Sequence, residues 1–198
     1  MAQLLIFGLG YTGQRIAAAA RARGWRVRAT GRAGDLAFAD CDGVLAALAD
    51  ASHVLSSVPP DAAGDPVLTA YGAALGGRWL GYLSSTGVYG DAGGAWVDES
   101  APIVGMGGTG RRTARAEADA RWLGLGAHVF RLPGIYGPGR SAFERLAEGR
   151  AQRIDLAGQV FSRVHVEDIA GAVIAAMAGT AAPGAWNIAD DLPASQNA

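Results

Sequence analysis

The stretch Gln3-Leu4-Leu5-Ile6-Phe7-Gly8-Leu9-Gly10-Tyr11-Thr12-Gly13 decides the fold. Residues 3–7 are a short apolar run that reads as a buried strand. The run meets Gly8-x-Gly10-x-x-Gly13 at once. From 12 to 23, Ile16, Ala19 and Ala20 then recur at helical spacing until Gly24 stops them. Strand, glycine loop and helix in that order leave free N–H groups at the helix start, where the helix dipole favours a phosphate. The first glycine permits the tight turn, the second lets the backbone approach a pyrophosphate, and the third lets helix pack on strand. In a chain with 30 glycines the spacing alone says little. Its place between a strand and a helix makes Gly8, Gly10, Tyr11, Thr12 and Gly13 candidate dinucleotide contacts. The alternative is an ordinary strand-to-helix turn.

Outward from that loop the chain alternates. Residues 25–30 read as a second strand, 36–39 as a short third, 44–51 as a helix and 53–58 as a fourth strand closed by Pro59-Pro60. Residues 66–75 read as a helix, 78–84 as a fifth strand, 110–125 as an Arg/Ala/Glu-rich helix and 128–132 as a sixth strand ended by Pro133. This alternation implies right-handed βαβ units, hence an α/β, Rossmann-type, doubly wound parallel sheet. Beyond residue 132 the rhythm loosens to helices at 141–148 and 166–178 and a last strand at 185–188. No linker divides the chain, so residues 1–198 read as one domain.

The ribose end follows from the second strand. A site for NAD usually has an acidic residue there, whereas an arginine suits a 2′-phosphate. Ala29-Thr30-Gly31-Arg32 offers no carboxylate before Asp35. Thr30 and Arg32 are therefore candidate 2′-phosphate ligands, with Arg28 assisting if its side chain turns that way, and NADP(H) is favoured over NAD(H). The alternative for Arg32 is a solvated surface charge. Ser57, Val58 and Pro59 follow the fourth strand and are expected along the cofactor, or else form a plain loop.

Composition narrows the chemistry. The 198 residues carry a formal charge of −1, with no basic patch or acidic tail, so neither nucleic acid nor an anionic membrane is favoured as partner. One cysteine, Cys41, excludes an internal disulfide and a cysteine zinc cluster; a packing role suits it better than a reactive one. No stretch approaches 18 apolar residues and the N-terminus lacks a signal-peptide layout, so a cytoplasmic protein is expected. All 17 basic residues are arginine, which excludes a P-loop lysine and a Schiff-base lysine. No G-x-S-x-G elbow is present, which argues against a serine hydrolase. His165, Glu167 and Asp168 are the one group with metal-ligand chemistry close in sequence, and no metal is assigned to them.

Five stretches carry a resemblance. They are Gly8 to Gly13, Leu83-Ser84-Ser85-Thr86-Gly87-Val88-Tyr89-Gly90, Arg131-Leu132-Pro133-Gly134-Ile135-Tyr136-Gly137-Pro138-Gly139-Arg140, Val164-His165-Val166-Glu167-Asp168-Ile169-Ala170, and Trp186-Asn187-Ile188-Ala189-Asp190. In this order they resemble the short-chain dehydrogenase/reductase superfamily, extended or atypical type, closest to the NAD-dependent epimerase/dehydratase family acting on nucleotide sugars. The resemblance implies a substrate crevice at the C-terminal strand ends. It places Ser85 at the family's catalytic Ser/Thr, with Thr86 as neighbour and substitute; the alternative is that Ser84, Ser85 and Thr86 simply close a strand.

Two departures stand out. The family's Tyr-x-x-x-Lys is missing: aligned on Glu117, its positions hold Thr109 and Thr113, and a threonine hydroxyl is too weak an acid to replace the tyrosine. Tyr89 and Tyr136 are the remaining candidates for an acid. Arg111, Arg112 and Arg115 either bind an anion or, the favoured reading, form a solvated helix face paired with Glu117 and Asp119. Second, the resemblance stops at Asp190-Asp191-Leu192-Pro193, where relatives continue. The expected substrate lobe, from about 133–165 and 189–198, is therefore small and less closed than in relatives. Such relatives often form homodimers through helices flanking the sheet, and an alanine-rich helix at 113–120 would permit this. The expected function is an NAD(P)-binding, epimerase/dehydratase-like oxidoreductase acting on a small polar molecule. The alternative is a dinucleotide-binding regulator or redox sensor without turnover.

Overall fold

The computed structural model describes residues 2–150 and 159–195. β1 (Gln3–Phe7) is buried along its whole length, as the apolar run Leu4–Phe7 requires of a central parallel strand. It pairs in parallel with β2 (Arg26–Ala29) on one side and with β3 (His53–Ser56) on the other. β4 (Trp79–Ser85), β5 (His128–Leu132) and the last strand, β8 (Gly184–Asn187), extend the sheet beyond β3, all parallel. The order is β2-β1-β3-β4-β5-β8, so the winding reverses at β1. A crevice opens at such a reversal, outside the C-terminal ends of the strands.

Alternation along each strand feeds two cores. Leu5, Phe7, Val54, Tyr82 and Val129 face α2 (Cys41–Asp50), α3 (Pro66–Tyr71) and α4 (Arg111–Gly124). Leu4, Ile6, Leu55 and Phe130 face α1 (Tyr11–Arg21) and α6 (Val166–Met177). The doubly wound α/β fold expected from the alternation is thus present. Buried Asp65 caps α3 by accepting the Leu68 N–H at 2.9 Å, and its second oxygen accepts the Trp122 indole N–H at 2.8 Å, which ties α4 to α3.

Several expected elements differ. No third strand forms at 36–39; only Leu36 bridges to Thr30. Asp35 has turned back to accept the Ala29 N–H at 2.8 Å, and Phe38 leaves the sheet edge to pack edge-on against Phe7 and Tyr71. The helix at 66–75 ends at Tyr71 and continues as a 3-10 turn, Gly72–Ala74. After β5 the chain adds a small parallel pair, β6 (Gly134–Tyr136) with β7 (Arg163–His165), and a short helix, α5 (Ala142–Ala147). Three-residue strands are too short to show a period in sequence. Of the segments expected in the substrate lobe, 151–158 and 196–198 lie outside the described residues. Ala114, Ala116 and Ala118 of α4 are buried within the chain itself.

Candidate functional site

The glycine loop is held from two sides. Gly8 adopts a left-handed φ of +86°, and its N–H donates to the Thr30 hydroxyl at 3.1 Å. The Ser57 hydroxyl donates to the Gly8 carbonyl. A Cβ on Gly13 would lie 2.8 Å from that carbonyl, so the first turn of α1 packs directly on the loop. A Cβ on Gly10 would meet nothing within 4 Å. Gly10 also caps α1 without a side-chain hydrogen bond, and no acidic residue occupies the first turn. The helix start therefore presents its N–H groups to open space beside a residue whose missing side chain leaves room for a ligand.

That space is a groove of about 290 Å³ at the crevice, lined by Gly10, Tyr11, Thr12, Ser57, Pro59, Ser85, Arg115 and Arg140 among others. Ser85 and Pro133 also line a wider adjoining groove of about 1300 Å³, together with Thr86, Arg112 and Asp190. The structure thus brings the glycine loop, the end of β3 and the end of β4 to one place. Ser85 accepts the Gly87 N–H at 3.1 Å and caps the 3-10 turn Thr86–Tyr89, which leaves its own O–H free to donate. Ser84 is sequestered: its hydroxyl donates to buried Asp119 at 2.6 Å.

Asp119 and Arg131 form the ion pair behind the site, 0% and 2% exposed. Arg131 donates to both Asp119 oxygens, at 2.8 and 3.1 Å, and to the Tyr89 hydroxyl at 2.7 Å. Tyr89 in turn donates to the Asn187 amide oxygen at 2.8 Å. Tyr89 lines the wider groove, but its hydroxyl is tied into this structural network between Arg131 and Asn187. The network also corrects the reading of α4. Asp119 does not pair with Arg111, Arg112 or Arg115 on a solvated face; it points inward at Arg131. Arg115 is half-buried and lines the groove beside Ser85. The sequence reading favours a solvated face for Arg115, whereas the structure turns it into the groove; Arg140, which the sequence does not single out, lines the same groove. The Arg140 guanidinium lies 5.5 Å from the centre of the Tyr11 ring, whose hydroxyl donates to the Pro138 carbonyl at 3.1 Å.

Other expected residues fall away from the groove. Thr30 is 1% exposed and braces Gly8 from below, so it has no surface for a 2′-phosphate. Val58 packs against the core, and Gly8 and Gly13 shape the loop from within it. Arg28 is engaged by Asp35, and Arg32 is exposed on the loop that follows β2. Burial pushes the Asp35 carboxyl up, but the Ala29 N–H and the Arg28 guanidinium outweigh it and hold it below 3.8. Tyr136 does not line either groove. Its hydroxyl donates to Asp190 at 2.9 Å, and that bond, with some burial, raises its pKa above 10, the wrong direction for an activated acid. His165 Nδ1 accepts the Glu167 N–H and caps α6. Among the described residues no group of His, Cys, Asp and Glu is arranged to hold a metal ion. Cys41 is exposed at the first residue of α2, not packed as expected. No helix among the described residues is long and apolar enough to cross a membrane.

No family model matches the chain, and no curated protein matches it. Solved structures do. A functionally unknown conserved protein from Silicibacter pomeroyi is 41% identical over 99% of this chain and 75% of its own, with a TM-score of 0.83. A protein described as an NAD-dependent epimerase/dehydratase from Methylobacillus flagellatus is 24% identical over 98% of this chain and 77% of its own, with a TM-score of 0.77. The dTDP-glucose 4,6-dehydratase of Bacillus anthracis, solved in complex with NAD, is 15% identical over 100% of this chain and 78% of its own, with a TM-score of 0.76. The chain belongs to one family with the Silicibacter pomeroyi protein, and that family is built on the fold of the extended short-chain dehydrogenase/reductases, the NAD-dependent epimerase/dehydratase type.

Proposed function

We propose that the protein binds a nicotinamide dinucleotide in the groove at Gly10 and uses it on a small polar substrate at Ser85. The observation that carries this reading is the uncapped start of α1 at Gly10, where open space takes the place of a side chain, in the same groove as Ser85. Gly10, Tyr11 and Thr12 would hold the diphosphate, Ser57 and Pro59 would flank it, and Gly8 and Gly13 set the loop. A bound nicotinamide supplies or accepts a hydride. Ser85, with its O–H free and Thr86 beside it, would donate a hydrogen bond to the substrate's reacting oxygen. A nucleotide sugar is the substrate suggested by the dTDP-glucose dehydratase likeness.

NADP(H) is favoured over NAD(H). Asp35, the one carboxylate near the tip of β2, is occupied by Arg28 and the Ala29 N–H, while Arg32 stands exposed beside it. Titration with NADPH and with NADH, followed by nicotinamide fluorescence, tests both claims. The expected result is tighter NADPH binding that Arg32→Ala weakens about tenfold, with NADH little changed. Equal affinity for both cofactors, indifferent to the substitution, overturns the NADP(H) assignment. The second reading, a dinucleotide-dependent regulator without turnover, is favoured by Tyr136, whose hydroxyl is engaged by Asp190 and which lines neither groove. NADPH oxidation against aldehydes, quinones and sugar nucleotides separates the two, with Ser85→Ala as control.

A further inference from the structure

Arg112 and Arg115 are three residues apart on α4 and so share a helix face. Arg115 lines the groove that holds Gly10, and Arg112 lines the wider one; Ser85 lines both. Ser85 thus stands where the two grooves join, with one arginine in the lining of each. Among the described residues neither has a carboxylate within ion-pair distance or a hydrogen-bond acceptor. The carboxylate that sequence spacing offered them, Asp119, is turned away to Arg131. Among the described residues no Asp or Glu lines the smaller groove, whereas Asp91, Asp190 and Asp191 line the wider one. Arg115 is half-buried and Arg112 exposed; a half-buried cation without a partner is costly to keep dry, and a planar guanidinium matches a carboxylate or phosphate with two parallel N–H bonds. It also keeps its proton, so it can bind but not act as an acid or base.

We propose that Arg112 and Arg115 form, beside Ser85, a seat for an anionic oxygen group of the substrate, a carboxylate or a phosphate. This rests on the reading of the neighbouring groove as the dinucleotide site. The substrate is then a small oxyanion-bearing molecule whose reacting oxygen meets Ser85 while its anionic group is held by α4. The two arginines position the substrate; they do not replace the missing tyrosine.

The test is calorimetric titration of NADPH-saturated protein with two probes, oxalate and inorganic phosphate. The wild type, Arg112→Gln, Arg115→Gln and Arg111→Gln are compared, Arg111 lining neither groove. Melting temperatures verify that each variant folds. At least one probe should bind the loaded wild type. Arg112→Gln and Arg115→Gln should each weaken it about tenfold, and Arg111→Gln should leave it unchanged. The preferred probe tells carboxylate from phosphate. The seat is overturned if neither probe binds the loaded wild type, or if both survive the two substitutions. It is equally overturned if Arg115→Gln weakens NADPH and not the probe, since the guanidinium then serves the dinucleotide. If the wild type takes up no NADPH, the dinucleotide reading fails, and the same titrations on unloaded protein decide the seat alone.

Discussion

At the scale of single residues, Gly10 and Gly13 differ in what their missing side chains leave room for. A methyl on Gly10 would project into open space, at a backbone φ of −83° that any residue adopts. Gly10→Ala should therefore change stability by less than about 1 kcal/mol, yet lower dinucleotide affinity tenfold or more by occupying the approach to the helix start. A methyl on Gly13 would press on the Gly8 carbonyl at 2.8 Å, so Gly13→Ala should cost about 1–3 kcal/mol whether or not ligand is present. Urea denaturation and nicotinamide titration of the two variants check the contrast; equal loss of affinity at equal stability in both would refute it. Arg131 is the other decisive residue. Replacing it by Met strands the Asp119 carboxylate in the core with Ser84 as its remaining donor, and should cost about 3–5 kcal/mol in urea denaturation.

At the scale of elements, β3 carries a pH-sensitive packing. His53 lies between Trp25 and Trp79, with ring centres 4.5 and 5.5 Å away. Burial lowers its pKa below 6.5, partly offset by a hydrogen bond that the ring donates to the Met177 backbone carbonyl. The unfolded chain then takes up a proton near pH 6.5 that the native state resists. His53 thus makes stability fall as pH drops from 6.5 toward the native pKa, and contributes no slope above. His53→Gln should reduce the drop in urea midpoint between pH 7.5 and pH 5.5; an unchanged drop would show that other groups cause it. Elements also show what a sequence can reveal. β1, β3 and β5 are legible because burial on both faces leaves short clusters of apolar residues, Leu4–Phe7, Val54-Leu55 and Val129-Phe130, bounded by turn signals. The glycine loop was legible because its residues are fixed by backbone geometry within one turn. The direction of α4 was not. Asp119 is as polar as Glu117 in sequence, and only the pairing with Arg131 on β5 shows that it faces inward while Arg115 lines the groove. Likewise Thr30 reads as an exposed strand tip until Gly8 is seen to donate to it.

At the scale of the molecule, the groove is where the two halves of the architecture meet. Its walls come from the turns after β1, β3 and β4, from α4 on one face of the sheet, and from the segment that follows β5. The core under α2, α3 and α4 and the core under α1 and α6 are otherwise separated by the sheet. A ligand seated at Gly10 touches elements anchored in both, so its binding energy should appear as stability of the whole fold rather than of one loop. With NADPH at a hundred times its dissociation constant, linkage gives about 2.7 kcal/mol. For a domain of this length that raises the melting temperature by roughly 5–10 °C. Gly10→Ala supplies the control, because it should keep the unliganded melting temperature and lose the shift. A single cooperative transition displaced as a unit would show that the site couples both cores. A transition that splits, with one part unmoved by NADPH, would show that the ligand holds only the glycine loop and α1, and that the crevice is not shared between the halves.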